Sequence, residues 1–395
     1  MATLSLILAI IAVAGRVQST LYQHKLQPFY DTTGLNLDGP VGEIVRQEPL
    51  KEAVEGGTGY RILYRTQRAD NSPTFSSGMI FVPNNGNPAG NPVVAWAHGT
   101  LGLGDSCTPS RVKNPTTMVP GLDEMMANGW VVTATDYAGF GTPGTQGYLV
   151  GGSEARDVLN SVRAAQDFPQ ANATSGYVVW GHSQGGHSAL FTASFANEYA
   201  SELELKGTVA SAPAAELVSL LNQQYGGVAD WVIGPILAST WPAFNSNLNA
   251  DEIMSAEGKR TYKDVANECI KESALVGLFR NAIGQKFLAT NPTTLPNWRQ
   301  MAEEQTAPIL NPNMPLMVVE SKTDKVVLPN TTALYIQQAC SAGSNVSSLW
   351  LDNVSHMQIQ KVSAPEVTNW LEDRFAGKPQ ATTCSQPLPI APATQ

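Results

Sequence analysis

The stretch Gly176-Tyr177-Val178-Val179-Trp180-Gly181-His182-Ser183-Gln184-Gly185-Gly186 decides how the chain is read. Its first half is a short run of β-branched and aromatic residues, the pattern of a strand buried on both faces. Its second half matches G-x-S-x-G, and the residues from Gly186 to about Ala200 are compatible with a helix. Strand, sharp turn and helix in that order make a nucleophile elbow. Such a turn strains the serine backbone, and small neighbours leave it room. The hydroxyl is lifted above the sheet at a helix N-terminus, where developing negative charge is favoured. G-x-S-x-G alone is a cheap match in a chain with 34 glycines; the strand before it and the helix after it give it weight.

A serine nucleophile at such an elbow needs partners, in the order serine, acid, histidine. The chain has five histidines, His24, His98, His182, His187 and His356, and only His356 lies C-terminal to the elbow helix. It follows the strand-like segment Ser348–Asp352, so it is the expected general base. The expected acid is Asp324, in the loop after the strand-like Pro315–Glu320, where it would hold the imidazole tautomer and stabilise the imidazolium. Glu320 and Asp352 are alternatives, each at a strand end rather than in the loop. A tetrahedral oxyanion needs two N–H donors. The backbone of Gln184 supplies one, and Thr100, in His98-Gly99-Thr100-Leu101-Gly102, the other, with Leu101 next in line. His98 is expected to pack beneath that turn, and His182 and His187 to be structural.

Outward from the elbow, strand-like and helix-like segments alternate from about Gly78, the signature of a mostly parallel sheet. Strands are expected at Gly78–Val82, Pro92–Ala97, Trp130–Thr135, Gly176–Trp180 and Leu205–Ala212, and a helix from Ser153, as N-cap, to about Phe168. After Pro213 the pattern turns helical, with Trp231, Ile233, Ile236, Leu237, Trp241 and Phe244 in apolar pieces, and alternation returns at Pro315. A final helix is expected near Pro365–Phe375. The fold class is therefore α/β: an α/β-hydrolase fold, its central sheet flanked by helices, with an inserted helical cap. Residues 20–213 and 308–384 are read as its core, 214–307 as the cap and 385–395 as a proline-rich tail. Most cap aromatics are expected in the insert's own core, the rest facing a substrate channel.

At 395 residues such a domain with an insertion is an ordinary size. A net charge of −9 leaves no basic patch for a phosphate backbone, so no nucleic-acid partner is expected. The apolar run Leu4 to Ala14, ending in Ala12-Val13-Ala14, reads as a signal peptide over 1–19, and secretion follows. The four cysteines, Cys107, Cys269, Cys340 and Cys384, show no metal-like spacing, so neither metal nor cofactor is expected. In an oxidising compartment they suggest two disulfides, with three connectivities open. Sequons at Asn172, Asn330, Asn345 and Asn353 are candidate glycosylation sites. Asn353, so near His356, is expected to point outward or to be poorly occupied.

Together, the elbow, the order of its partners, Asp136-Tyr137-Ala138-Gly139-Phe140-Gly141, the helical insert and the Asp324-to-Pro329 loop resemble the fungal secretory lipase family, the group typified by yeast lipase A. The resemblance runs from about Gly78 to Cys384. It implies a capped α/β-hydrolase acting on acylglycerols and other esters without a cofactor, and the pairings Cys107 with Cys269 and Cys340 with Cys384. The first would tie the oxyanion loop to the cap. His98-Gly99-Thr100 stands where the family usually carries an acidic segment, which suggests a more open site. The expected partner is a small-molecule or lipid ester, met at a lipid–water interface by a monomer. An esterase or acyltransferase for one secondary metabolite would use the same triad, whereas a non-catalytic binding module would be expected to lose one of its members.

Overall fold

The computed structural model describes residues 21–394; the expected signal peptide lies outside them. Its centre is a nine-stranded sheet: β1 (Ile44–Pro49), β2 (Gly57–Gln67), β3 (Pro73–Pro83), β4 (Asn91–Ala97), β5 (Val131–Thr135), β6 (Ala173–His182), β7 (Glu204–Ser211), β8 (Leu316–Ser321) and β9 (Val346–Leu351). The spatial order is β1-β2-β3-β5-β4-β6-β7-β8-β9. From β5 to β9 all neighbours are parallel. The strands β1, β2 and β3 form an antiparallel extension that joins β5. The strands β1 and β2 have no counterpart among those expected from the sequence, which begin at Gly78. Arginines interrupt the apolar run of β2: Arg61 is buried, donates to the Ser110 carbonyl at 2.9 Å and pairs with Glu48.

Helices cover both faces. On one lie α2 (Gly151–Gln166), α3 (Gln184–Tyr199) and α9 (Pro329–Ser341), packed on Val93, Ala95, Tyr177, Val179 and Val318. On the other lie α1 (Leu122–Ala127), α10 (Ile359–Val362) and α11 (Ala364–Phe375), against Val94, Trp96, Val178, Trp180 and Val319. Successive residues of β4 and β6 thus feed opposite cores, as strand geometry demands. Each fully buried side chain of this kind contributes about 1.5–3 kcal/mol. The helix α2 begins at Gly151 without a side-chain cap, and Ser153 is not its N-cap. The Gly151 N–H instead bonds to Gln305 Oε1 at 2.9 Å, and Ser153 Oγ accepts from the Ala69 N–H.

Between β7 and β8 the chain forms α4 (Leu217–Gln224), α5 (Val228–Thr240), α6 (Ala256–Asn267), α7 (Ile270–Ala282) and α8 (Pro296–Glu304). Trp231, Ile236, Leu237, Trp241, Phe287 and Trp298 are buried in a core continuous with the sheet face carrying Trp96 and Trp180. Phe244 is half-buried and lies 5.7 Å from the Arg68 guanidinium. The ends of this insertion are joined by the Ala307 N–H to the Ala215 carbonyl at 2.8 Å. The proline-rich tail lies along the body, with Leu388 on the α9 cluster and the Ala393 N–H bonded to the Asn330 carbonyl.

The chain runs from β4 to β5 on one side and returns to β6 on the other, so the carboxyl ends of β4 and β6 flank the switch point of the sheet. Open α/β sheets bind ligands at that crevice.

Candidate active site

At the carboxyl end of β6 the chain turns through Ser183, at φ 59° and ψ −118°, into α3. A non-glycine residue so placed costs of order 1–3 kcal/mol. Three backbone bonds hold it: Ser183 N–H to the Ser211 carbonyl at 2.8 Å, and the N–H groups of His187 and Ala214 to its own carbonyl at 3.0 and 3.3 Å. The flanking glycines follow from space. A Cβ on Gly181 would sit 1.8 Å from the Gly185 carbonyl oxygen, and one on Gly185 would sit 1.9 Å from that of Ala97.

His356 opens a short 3₁₀ turn after β9, with Nε2 3.0 Å from Ser183 Oγ. Its Nδ1 lies 2.6 Å from Asp324 Oδ2, and the other oxygen of Asp324 accepts from the Val326 N–H at 2.7 Å. All three side chains are nearly buried: Ser183 is 7% exposed, His356 6% and Asp324 4%. The loops bearing Asp324 and His356 are laced together by Ser321 Oγ donating to the Val354 carbonyl and the Lys322 N–H to the Leu351 carbonyl.

The two alternative acids are placed elsewhere. Asp352 points to solvent and pairs with Lys322 at 2.9 Å. Glu320 is fully buried, accepting from the Ser321 N–H and Thr332 Oγ1. Burial first, and then the neighbouring Asp324 charge, hold its carboxyl well above the usual range.

The turn after β4 lies against the elbow: a Cβ on Gly99 would be 3.3 Å from the Ser183 Cβ. Neither the Thr100 nor the Gln184 backbone N–H meets an acceptor among the described residues. For Gln184 this is the ordinary fate of the first N–H groups of a helix. Thr100 Oγ1 is 2.9 Å from Tyr148 Oη, and the Tyr148 carbonyl accepts from Trp241 Nε1 of the insertion at 3.0 Å. The same turn is fastened to the insertion by Leu103 N–H to the Ala266 carbonyl, Ile270 N–H to the Leu101 carbonyl, and a Cys107–Cys269 disulfide. The other disulfide joins Cys340 to Cys384.

His98 packs under this turn between Tyr137 and Phe140, with burial lowering its pKa to about 4. The Asp136-Tyr137 segment supports it: Tyr137 Oη donates to the His98 carbonyl, and Asp136 accepts from Ser77 and Ser110. His182 does more than its sequence context suggested. Burial pushes its pKa well down, and as a neutral ring it donates from Nε2 to the His356 carbonyl at 3.0 Å, steadying that residue. No local pattern announces this bond, which spans 174 residues.

Residues 111–383 match the secretory lipase family model. The chain belongs to the secretory lipase family. It is accordingly a secreted carboxylic ester hydrolase with the α/β-hydrolase fold. Among its relatives are a secreted triacylglycerol lipase of Malassezia restricta, 25% identical over 89% of this chain and 73% of that protein, and lipase A of Moesziomyces aphidis, 21% identical over 92% and 82%. Lipase A of Candida antarctica superposes with a TM-score of 0.75 at 16% identity, covering 92% of this chain and 89% of that one. A rice cell wall degrading esterase of Xanthomonas oryzae gives 0.71 at 15% identity, covering 86% and 99%.

Of the four sequons, Asn172 and Asn353 are exposed and Asn330 and Asn345 half-buried. Asn172 is engaged, its Nδ2 donating to the Asn87 carbonyl at 3.1 Å. Among the described residues no helix is long and apolar enough to cross a membrane.

Proposed function

We propose that this secretory lipase works through Ser183 as nucleophile, His356 as general base and acid, and Asp324 as the group that orients and charge-stabilises the imidazole. The carrying observation is the continuous chain Ser183 Oγ, His356 Nε2, His356 Nδ1, Asp324 Oδ2, with links of 3.0 and 2.6 Å, at a serine with φ 59°. Ser183 attacks the ester carbonyl, giving its proton to His356, and the alcohol leaves with that proton. Water then releases the acid from the acyl-enzyme. The N–H groups of Gln184 and Thr100, both free of acceptors among the described residues, receive the oxyanion. Residues 214–307 act as the cap over a nucleophile that is only 7% exposed. No cofactor takes part, and the chain works as a monomer with no nucleic-acid partner.

Acylglycerols are the favoured substrate class. Malassezia restricta's relative is named a triacylglycerol lipase, and α7 turns Leu275, Leu278 and Phe279, with Ile283 just beyond, outward at 55–67% exposure. The spacing i, i+3, i+4, i+8 makes one apolar face suited to a lipid–water interface. The test is hydrolysis of p-nitrophenyl esters from acetate to palmitate by the wild type and Ser183→Ala. Long-chain activity confined to the wild type supports the reading. Comparable turnover by Ser183→Ala sinks the triad, and activity limited to acetate and butyrate replaces the lipase reading with a short-chain esterase.

A further inference from the structure

Beneath the elbow lies a buried polar group that the hydrolytic cycle does not use. Glu154, in the first turn of α2, is 1% exposed. Its Oε1 accepts from Gln184 Nε2 at 2.8 Å and from the Leu149 N–H at 2.9 Å. Its Oε2 faces His187 Nδ1 at 3.1 Å. His187 Nε2 in turn donates to the Gln305 carbonyl at 2.8 Å, and Gln305 closes the ring through its side chain on the Gly151 N–H.

Both arms of the oxyanion hole end on this carboxyl. One arm is direct, since Gln184 carries the helix-terminal N–H and its own side chain is held by Glu154. The other runs through Leu149, a non-glycine residue at φ 51°, to the adjacent Tyr148, whose hydroxyl meets Thr100. We propose that Glu154 is a positioning residue for the oxyanion hole, fixing Gln184 directly and Thr100 through the Leu149–Tyr148 turn. His187 links it to Gln305, where the insertion rejoins the core.

The hydrogen-bond chemistry makes this testable. A carbonyl only accepts, so His187 Nε2 carries the proton of its bond to Gln305. A glutamine at 154 can reproduce every bond: its carbonyl oxygen takes the Leu149 and Gln184 donors, and its amide donates to Nδ1. An alanine reproduces none.

The inference rests on the oxyanion roles proposed for Gln184 and Thr100, so the experiment separates the two. Active-site titration with an organophosphonate counts competent sites. Turnover per site is measured on one ester, and inhibition by a trifluoromethyl ketone, whose adduct carries an oxyanion, is measured in parallel. Glu154→Ala is expected to lose about 10- to 100-fold in kcat with KM within about twofold, as removal or displacement of an oxyanion donor does. Ketone affinity should fall by the same factor as kcat/KM. Glu154→Gln should stay within about threefold of the wild type. Should Glu154→Ala fail to fold, Gln184→Met carries the test, because it removes only the anchored amide; its kcat is expected to fall about tenfold. Unchanged turnover per titrated site in Glu154→Ala, or in Gln184→Met where that stands in, overturns the inference, as does a Glu154→Gln loss as deep as that of alanine. If the wild type ignores the ketone, or Ser183→Ala remains active, the underlying catalytic reading fails instead.

Discussion

Replacing Asp324 by asparagine gives the sharpest test of the triad, because the structure dictates how the new amide must sit. The Val326 N–H donates to Asp324 Oδ1 at 2.7 Å, so that position must remain an oxygen. The amide nitrogen is then forced into the Oδ2 position, 2.6 Å from His356 Nδ1. An NH₂ group there requires Nδ1 to accept, which puts the ring proton on Nε2. In that tautomer Nε2 cannot take the Ser183 proton. The neutral tautomer is wrong, and the imidazolium has lost its counter-charge. The expected loss is about 10⁴-fold in kcat with KM little changed, or about 5.5 kcal/mol of transition-state stabilisation. Glu320→Gln is the companion variant. Its carboxyl is held well above the usual range by burial, and an amide there keeps an oxygen for the Ser321 N–H and turns an NH₂ to Thr332 Oγ1, a hydroxyl that can accept as well as donate. It is expected to lose less than about tenfold. Steady-state hydrolysis of one p-nitrophenyl ester, with circular dichroism as a folding control, gives both numbers. The opposite pattern, an active Asp324→Asn and a dead Glu320→Gln, would refute the assignment of the acid.

Two further outcomes follow from neighbouring features. The Cys107→Ser, Cys269→Ser double variant opens a link across 162 residues, for which chain entropy gives up to about 5 kcal/mol. Because that link fastens the oxyanion turn, kcat should fall about tenfold as well, whereas breaking Cys340–Cys384 should lower the melting temperature alone; equal kcat in the two variants contradicts the fastening role. His98 offers a pH test. Its folded pKa, about 4, lies below the ordinary 6.5, so the unfolded chain takes up a proton first as pH falls. The stabilisation is present above pH 6.5 and lost on going down towards pH 4. Relative to His98→Phe, the wild type should lose about 3 kcal/mol between pH 7 and pH 4, the other buried carboxyls cancelling in the difference. A difference independent of pH in denaturant melts means that the ring is not held neutral.

The sequence alone carried the local parts of this protein far. Tyr177 to Trp180 had to be a buried strand, and the glycines at 181 and 185 had to be glycines, because a Cβ at either would overlap a backbone oxygen. His356 followed by elimination among five histidines. These features depend on a few neighbouring residues, and a few neighbouring residues are what a linear pattern records. Tertiary structure decided the rest. It set Asp324, rather than Glu320 or Asp352, beside His356 by laying one loop against another, 32 residues away along the chain. It joined each cysteine to one partner where spacing left three pairings open. Arg61 and Arg65 hid β2 until their ion pairs with Glu48 and Glu43 were formed. His182 reaches the His356 carbonyl, and Glu154 reaches Gln184 and His187, only in the folded chain, across 174, 30 and 33 residues. A polar side chain inside a core is costly by itself and favourable with partners, and those partners come from distant sequence.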